Sequence, residues 1–396
     1  MSQAARYRFV TAHPYLGAKT FKMKKGRGVQ ARVSKLTGVE DRSWLQSALI
    51  SRQDRLAFTR NLGILLGAGV TLLKAVDILA EQAEVPTTAE VLWTIKGSLT
   101  AGQSLSSSCR LFPGIFSPVY VGLVAVGENT GQIIDCVQQL AVLLEHENTL
   151  NQRVKSALVY PAFVVGVTGV LTLFLFKVIL PSFMEFFRET GAALPLVTRC
   201  LMLVSDLVGS YYFLGILLGA ALLVRFTAQL LKTSKTARRN LYLMLTRVPG
   251  LGKILAYAAL ARLCWVLKVS ISSGIDVLRS LSLATSACGS PLLEEDGKRL
   301  LGSIRDGEQL SKALKDRQDL YPRLLTQMVS AAEEASDYST AFASAGRWFE
   351  QEVDERVETF KAALEPVLMA GVAIIVGGII LSVFLPLYGF LDKLGG

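Results

Sequence analysis

A chain of 396 residues whose side chains are 51% hydrophobic, with a mean hydropathy of +0.41, has room for two or three domains and the composition of a membrane protein. Its net charge of +10 would suit nucleic acid, but the basic residues are spread among segments flanking apolar stretches and are not interleaved with aromatics, so no nucleic-acid partner is expected. Two histidines, His13 and His146, and five cysteines without a CxxC spacing exclude the common zinc and redox sites; Cys109, Cys136, Cys200, Cys264 and Cys288 read as small apolar fillers.

Residues 1–53 form a basic tail, whose first 35 positions hold nine Lys or Arg, among them Lys22, Lys24, Lys25 and Arg27, and no Asp or Glu. Without an apolar h-region no cleavable signal peptide is expected, and the tail is placed in the cytoplasm. It is read as a solvated basic surface or as a strip drawn to anionic lipid or an acidic partner. Over residues 54–158 apolar side chains recur at three and four: Leu62, Leu65, Leu66, then Leu72, Leu73, Val76, Leu79, and later Val137, Leu140, Val142, Leu143, Leu144. That spacing predicts amphipathic helices in a small bundle, broken at Gly69, Gly102, Pro113, Pro118 and Gly131.

Residues 159–181 read as a first membrane helix, entered at Pro161 and closed by Pro181, followed by a short periplasmic loop, 182–206. Residues 207–226 read as a second span. Arg225, Lys232, Lys235, Arg238 and Arg239 follow it with no acid among them, which makes that side cytoplasmic. Residues 227–363 are read as a linker and a second helical domain, with the period at Leu260, Leu263, Val266 and Leu267, a break at Gly274, then Val277, Leu278 and Leu281. A third span, 364–387, is entered at Pro366 and closed by Pro386, and residues 388–396 are the periplasmic C-terminus. The fold class expected is all-α: two homologous cytoplasmic helical-bundle domains and three transmembrane helices.

The domains are homologous because the chain repeats itself. A shift of about 205 positions superposes Gly69 on Gly274, Gly102 on Gly307, Leu105 on Leu310, Glu128 on Glu333, Pro161 on Pro366 and Pro181 on Pro386 without a gap. Two like-oriented copies must lie on one side of a membrane, and the unduplicated second span supplies the extra crossing.

Catalytic signatures are missing. Gly250-Leu251-Gly252-Lys253 lacks the first glycine of a phosphate-binding loop at the proper distance and the following Ser or Thr. There is no GxSxG and no HExxH, so neither an enzyme, a cofactor nor a metal centre is expected. Gly127-Glu128-Asn129-Thr130-Gly131 is the most motif-like string; Glu128 could cap a helix N-terminus, touch a partner or help hold a cation. Its counterpart Ala332-Glu333-Glu334-Ala335-Ser336 keeps the carboxylate without the glycines, as if the glutamate outlasted the turn geometry. Within the spans, small residues four apart, Ala162 with Gly166, Gly215 with Gly219 and Ala373 with Gly377, predict close helix packing, within one chain or between copies. Lys177, Asp206, Arg225 and Glu365 lie near span ends, so a small transporter or channel component, which needs polar groups at mid-membrane, is the weaker alternative.

Taken together, these residues resemble the type II secretion F-protein and type IV pilus inner-membrane platform family. Arg55-Leu56-Ala57-Phe58-Thr59-Arg60-Asn61-Leu62 through Gly69-Val70 is similar to the opening helix of its first domain. Gly102-Gln103-Ser104-Leu105, the Glu128 string, Val159-Tyr160-Pro161 and Val248-Pro249-Gly250-Leu251-Gly252-Lys253 resemble later signatures. Copy two departs most, with Trp265 in place of Arg60. The resemblance implies a non-enzymatic, multi-pass platform in the bacterial inner membrane, N-terminus cytoplasmic and C-terminus periplasmic. It further implies a hexameric assembly ATPase, pilin or pseudopilin subunits and other inner-membrane assembly proteins as partners, and a homo-oligomer.

Overall fold

The computed structural model describes residues 50–174, 235–246 and 250–394, with isolated positions 177, 225 and 248 between them. Most of the basic tail, the periplasmic loop, the second span with Gly215 and Gly219, Pro181 and Cys200 lie outside the described residues.

Among the described residues there are helices and no strands. Module one runs α1 (Arg52–Gly67), α2 (Leu72–Gln82), α3 (Pro86–Thr100), α4 (Leu105–Arg110), α5 (Pro118–Thr130) and α6 (Ile133–Phe174). After α7 (Lys235–Thr246), module two runs α8 (Leu251–Ser272), α9 (Val277–Ala287), α10 (Pro291–Arg305), α11 (Leu310–Lys315), α12 (Arg323–Ala335) and α13 (Tyr338–Leu394). Helices α9 to α12 begin and end 205 positions after α2 to α5, and α13 begins 205 after α6. The repeat detected in the letters is thus a repeat of secondary structure, element by element.

Local chemistry sets these boundaries. Ser51 and Ser117 cap α1 and α5 by accepting from Asp54 N–H at 3.0 Å and Tyr120 N–H at 3.3 Å, and Asp276 does so for α9 through Arg279 N–H at 2.8 Å. Pro86, Pro118 and Pro291 occupy first turns, where a missing N–H is harmless. Gly69 and Gly274 end α1 and α8 with φ of 83° and 84°. The next residue folds back in each case, Val70 N–H to Leu65 C=O and Ile275 N–H to Ser270 C=O, both at 3.0 Å, closing a left-handed helix cap.

The amphipathic stripes read from the sequence point mostly inward: Leu62, Val76, Leu79, Leu105, Leu140, Leu143, Leu263, Val266, Leu267 and Leu281 are buried, whereas Leu73 and Val142 face outward, off the buried side of their helices. Cys109, Cys136, Cys264 and Cys288 are buried and free, and burial raises the pKa of all four thiols.

The prolines are placed differently from expectation. Pro161 and Pro366 do not open separate membrane helices; α6 and α13 run through them without interruption. Pro386 closes nothing either, since α13 continues to Leu394 and makes most of residues 388–396 helical. Proline's fixed φ is compatible with a helix, and the lost hydrogen bond, about 3 kcal/mol, is borne by long helical arms on either side. The module and span boundaries at 158 and 363 therefore lie inside continuous rods.

Beyond those prolines the rods carry bare apolar surface. Val159, Phe163, Val165, Val170 and Phe174 on α6, and Val367, Met369, Ile374, Leu381 and Phe384 on α13, are all exposed. The 41-residue stretch Tyr338–Gly378 is long and apolar enough to cross a membrane, with 0% of its most apolar window buried. Helix α8 passes the same test of length and composition, but 67% of its window is buried, and it is the core helix of module two. Gly166, Gly371 and Gly377 have nothing within 4 Å of a Cβ added to them, and Ala162 and Ala373 are exposed. Among the described residues, then, the small-residue pairs of α6 and α13 pack against no helix.

Candidate functional site

Polar chemistry gathers at several places, among them a carboxylate inside each module and a polar junction between the modules. In module one, Glu128 near the end of α5 accepts hydrogen bonds from Leu105 N–H and, at 3.1 Å, from Ser106 N–H. Both donors are free N–H groups at the start of α4, so the carboxylate neutralises the positive end of that helix and ties α4 to α5. Module two repeats the device with Glu333, which accepts from Ser311 N–H at 3.0 Å and from the Ser311 hydroxyl. With both Glu128 oxygens directed at N–H donors, the geometry is that of a cap. Among the described residues no group of three or more His, Cys, Asp or Glu is arranged to hold a metal ion.

Around each carboxylate the surroundings differ instructively. A Cβ on Gly127 would sit 2.9 Å from Cys136 Cβ and 2.9 Å from Ile133 Cα, so α5 and α6 approach through a bare backbone. Module two has Ala332 and Ala341 at the positions of Gly127 and Cys136; a methyl is gained on one helix where a thiol is lost from the other. Gly131 ends α5 at φ 76°, and Ser336 ends α12 in the same left-handed region at φ 55°. The expectation that the glutamate outlasts the turn is therefore corrected: both carboxylate and turn persist, and serine adopts a backbone conformation that costs a side-chain-bearing residue about 1–2 kcal/mol.

Gly69 and Gly274 are helix caps in the two modules, and a Cβ added to either would meet nothing within 4 Å. Pro161 and Pro366 mark the level at which α6 and α13 become exposed.

The junction was not foreseen. Module one contributes α5 and α6 and module two contributes α8, α9 and α13. His146 on α6 stacks on Trp265 of α8, ring centroids 3.6 Å apart and 19° from parallel. Both rings meet one oxygen of Glu350 on α13: Trp265 Nε1 donates to it at 3.0 Å, and His146 Nδ1 lies 2.7 Å away. An ionised carboxylate only accepts, so His146 carries its proton on Nδ1. On either side of this triad Lys268 Nζ donates to Gln139 Oε1 at 2.7 Å, and Arg153 pairs with Asp354 at 2.6 Å.

A signal for the junction was present in the sequence. Glu145 and Glu350 are repeat equivalents, as are Arg60 and Trp265. In module one Arg60 and Glu145 form an exposed ion pair at 3.0 Å; in module two the same positions hold an indole and a carboxylate that receive the other module. A charged residue exchanged for tryptophan opposite an unchanged glutamate marks a face that became covered.

A further acid, half-buried, sits among three arginines. Glu147 lies 3.5 Å from Arg55; desolvation raises its carboxyl pKa, opposed by the charges of Arg55, Arg262 and Arg52. The Gly250 to Lys253 string also acquires a role. A Cβ on Gly252 would lie 2.3 Å from the Thr246 carbonyl oxygen, and Gly252 N–H bonds Val248 C=O at 3.2 Å, so the string makes the tight bend from α7 into α8.

Comparison with known proteins agrees with this duplicated architecture. The family model "Type II secretion system (T2SS), protein F" matches residues 58–181 and again 264–386. A type IV pilus assembly protein PilC of Thermus thermophilus is 31% identical over 93% of this chain and 88% of its own length. A PilC of Pseudomonas aeruginosa is 26% identical, over 86% of this chain and 90% of its own. A type II secretion system protein F of Xanthomonas campestris is 29% identical over 85% and 83%, respectively. Two matched copies of one domain, coinciding with two helical modules in register, place this chain in the type II secretion system protein F family.

Proposed function

We propose that this protein is a non-enzymatic platform in the bacterial inner membrane that couples a cytoplasmic hexameric ATPase to the movement of pilin or pseudopilin subunits. The observation that carries this reading is the continuity of α6 and α13. Each starts inside a packed module and continues without a loop into an exposed apolar segment. From Ile133 to Pro161 such a rod is about 40 Å long at 1.5 Å per residue, and a push on the module has no flexible joint in which to dissipate. The junction triad braces the two rods against each other, so the modules would move as a pair. The relatives are named for pilus assembly and for type II secretion, which supports a machine that handles helical filament subunits.

The test is photocrosslinking from exposed positions of both modules, Leu73 in one and Glu334 in the other, in cells that carry the chain's own secretion or pilus machinery. Capture of the ATPase from at least one module, with loss of filaments or secretion when the chain is deleted, is the expected result. No ATPase captured, and filaments and secretion intact in the deletion strain, would overturn it.

A further inference from the structure

The contact between the two modules is heterologous. Module one offers α5 and α6, whereas module two offers α8, α9 and α13, and these surfaces are not repeat equivalents of each other. Among the described residues, each module therefore retains the surface that its sister uses. Module one keeps a receiving face equivalent to that of module two, and module two keeps an inserting face equivalent to that of module one. We propose that the free receiving face of module one, centred on Arg60, Ile64 and Glu145, docks the free inserting face of module two, centred on Gln351, of a second copy of this chain.

The occupied face gives the template. Trp265 and Val269 lie one turn apart on α8 and Ser273 caps its C-terminal end; Trp265 packs against His146 of module one and Ser273 lies beside Cys136. Val269 is 0% exposed and Trp265 5%. Their equivalents Ile64 and Arg60 are open: Ile64 is 62% exposed, and the Arg60 and Glu145 side chains are 50% and 57% exposed. On the other surface, Gln351 and Gln327 stand where module one has His146 and Gly122, and both are exposed.

The exchanged residues remain compatible. Where His146 meets Trp265 and Glu350, Gln351 would meet Arg60 and Glu145, and a carboxamide can accept from the guanidinium while donating to the carboxylate. Where Arg153 pairs with Asp354, Glu358 would face Thr149, so no carboxylates oppose each other. The rods also agree in direction. His146 and Arg153 meet Glu350 and Asp354 in ascending order, so α6 and α13 are parallel, and repeated docking of the same kind keeps every copy in one membrane orientation. A heterologous contact of this kind builds a closed ring or an open array.

Two differently tagged copies of the full chain, one with Arg60→Cys and the other with Gln351→Cys, co-expressed in membranes and oxidised, test the contact. The expected product is a mixed-tag disulfide dimer, absent with either variant alone and lost when Ile64→Arg is added to the first copy. Gln139→Cys with Lys268→Cys inside one chain, joined by a bismaleimide long enough to replace the two side chains that now meet, reports that the known junction has formed. Failure of the mixed dimer while that internal bridge closes, or a dimer from Arg60→Cys alone, would overturn the proposal. The readout involves neither ATPase capture nor filaments, so its failure is distinct from failure of the platform reading.

Discussion

The two modules share a backbone and fill it with different chemistry. Module one places Val91, Phe112 and Phe116 in its core, each at most 1% exposed. At the same three positions module two has Asp296, Arg317 and Tyr321. The Asp296 carboxylate, its side chain 2% exposed, accepts from Arg299 Nε at 2.8 Å and Nη2 at 3.1 Å, from Arg317 at 3.4 Å and from the Tyr321 hydroxyl at 3.0 Å. One helical frame thus tolerates an apolar or an ionic interior, provided that the ionic one is completely partnered.

That contrast is most easily broken at Asp296. Asp296→Ala removes the acceptor shared by Arg299, Arg317 and the buried Tyr321 hydroxyl and should cost about 2–3 kcal/mol, read as a lowered unfolding midpoint of the purified protein. Asp296→Val combined with Arg317→Phe and Tyr321→Phe, which rebuilds the interior of module one, should recover most of the loss. If the triple variant is as unstable as Asp296→Ala, the two interiors are not interchangeable.

The next effect in size concerns the bare approach at Gly127. Gly127→Ala overpacks against Cys136 and should cost about 1–3 kcal/mol. Adding Cys136→Ala reproduces the arrangement of module two and should return part of that, a coupling that a double-mutant cycle measures directly. At the left-handed turns, Ser336→Gly should stabilise module two by about 1 kcal/mol, and Gly131→Ser should destabilise module one by a similar amount. Glu128→Gln removes the charge from the α4 cap and should cost about 1 kcal/mol with the fold retained; loss of assembly at full stability would show that the carboxylate serves a partner as well.

The smallest effect is a slope with pH. Burial raises the Glu147 carboxyl pKa in the folded protein, so the folded chain holds that proton more tightly than the unfolded chain. Between the ordinary glutamate value and the raised one, stability therefore falls as pH rises. Glu147→Gln should flatten that part of the stability profile, measured as unfolding midpoints across acidic pH. Its counterpart Glu352 pairs with Arg356 on the next turn of the same helix at 3.3 Å, and Glu352→Gln serves as the control from the sister module.

Much of this was legible in the letters. Period-three-and-four leucines gave the helices and their buried faces, because burial of apolar area acts on one stripe of a helix wherever it occurs. Glycines at Gly69 and Gly274 gave the stops, because few other residues accept that backbone conformation. The role of Glu128 was among the readings that the residues left open, and its N–H partners on α4 are 22 and 23 positions away, beyond the reach of local pattern.

By itself the sequence determined the duplication, the helical class and the apolar segments, all of which follow from spacing along the chain. Only the tertiary structure decided that Pro161 and Pro366 lie within unbroken rods, because the cost of a proline in a helix depends on how much helix is held on either side of it. It also decided that Trp265, His146 and Glu350 form one junction. A pair such as His146 and Glu350, 204 positions apart, is brought together by the packing of whole modules, which no local spacing records.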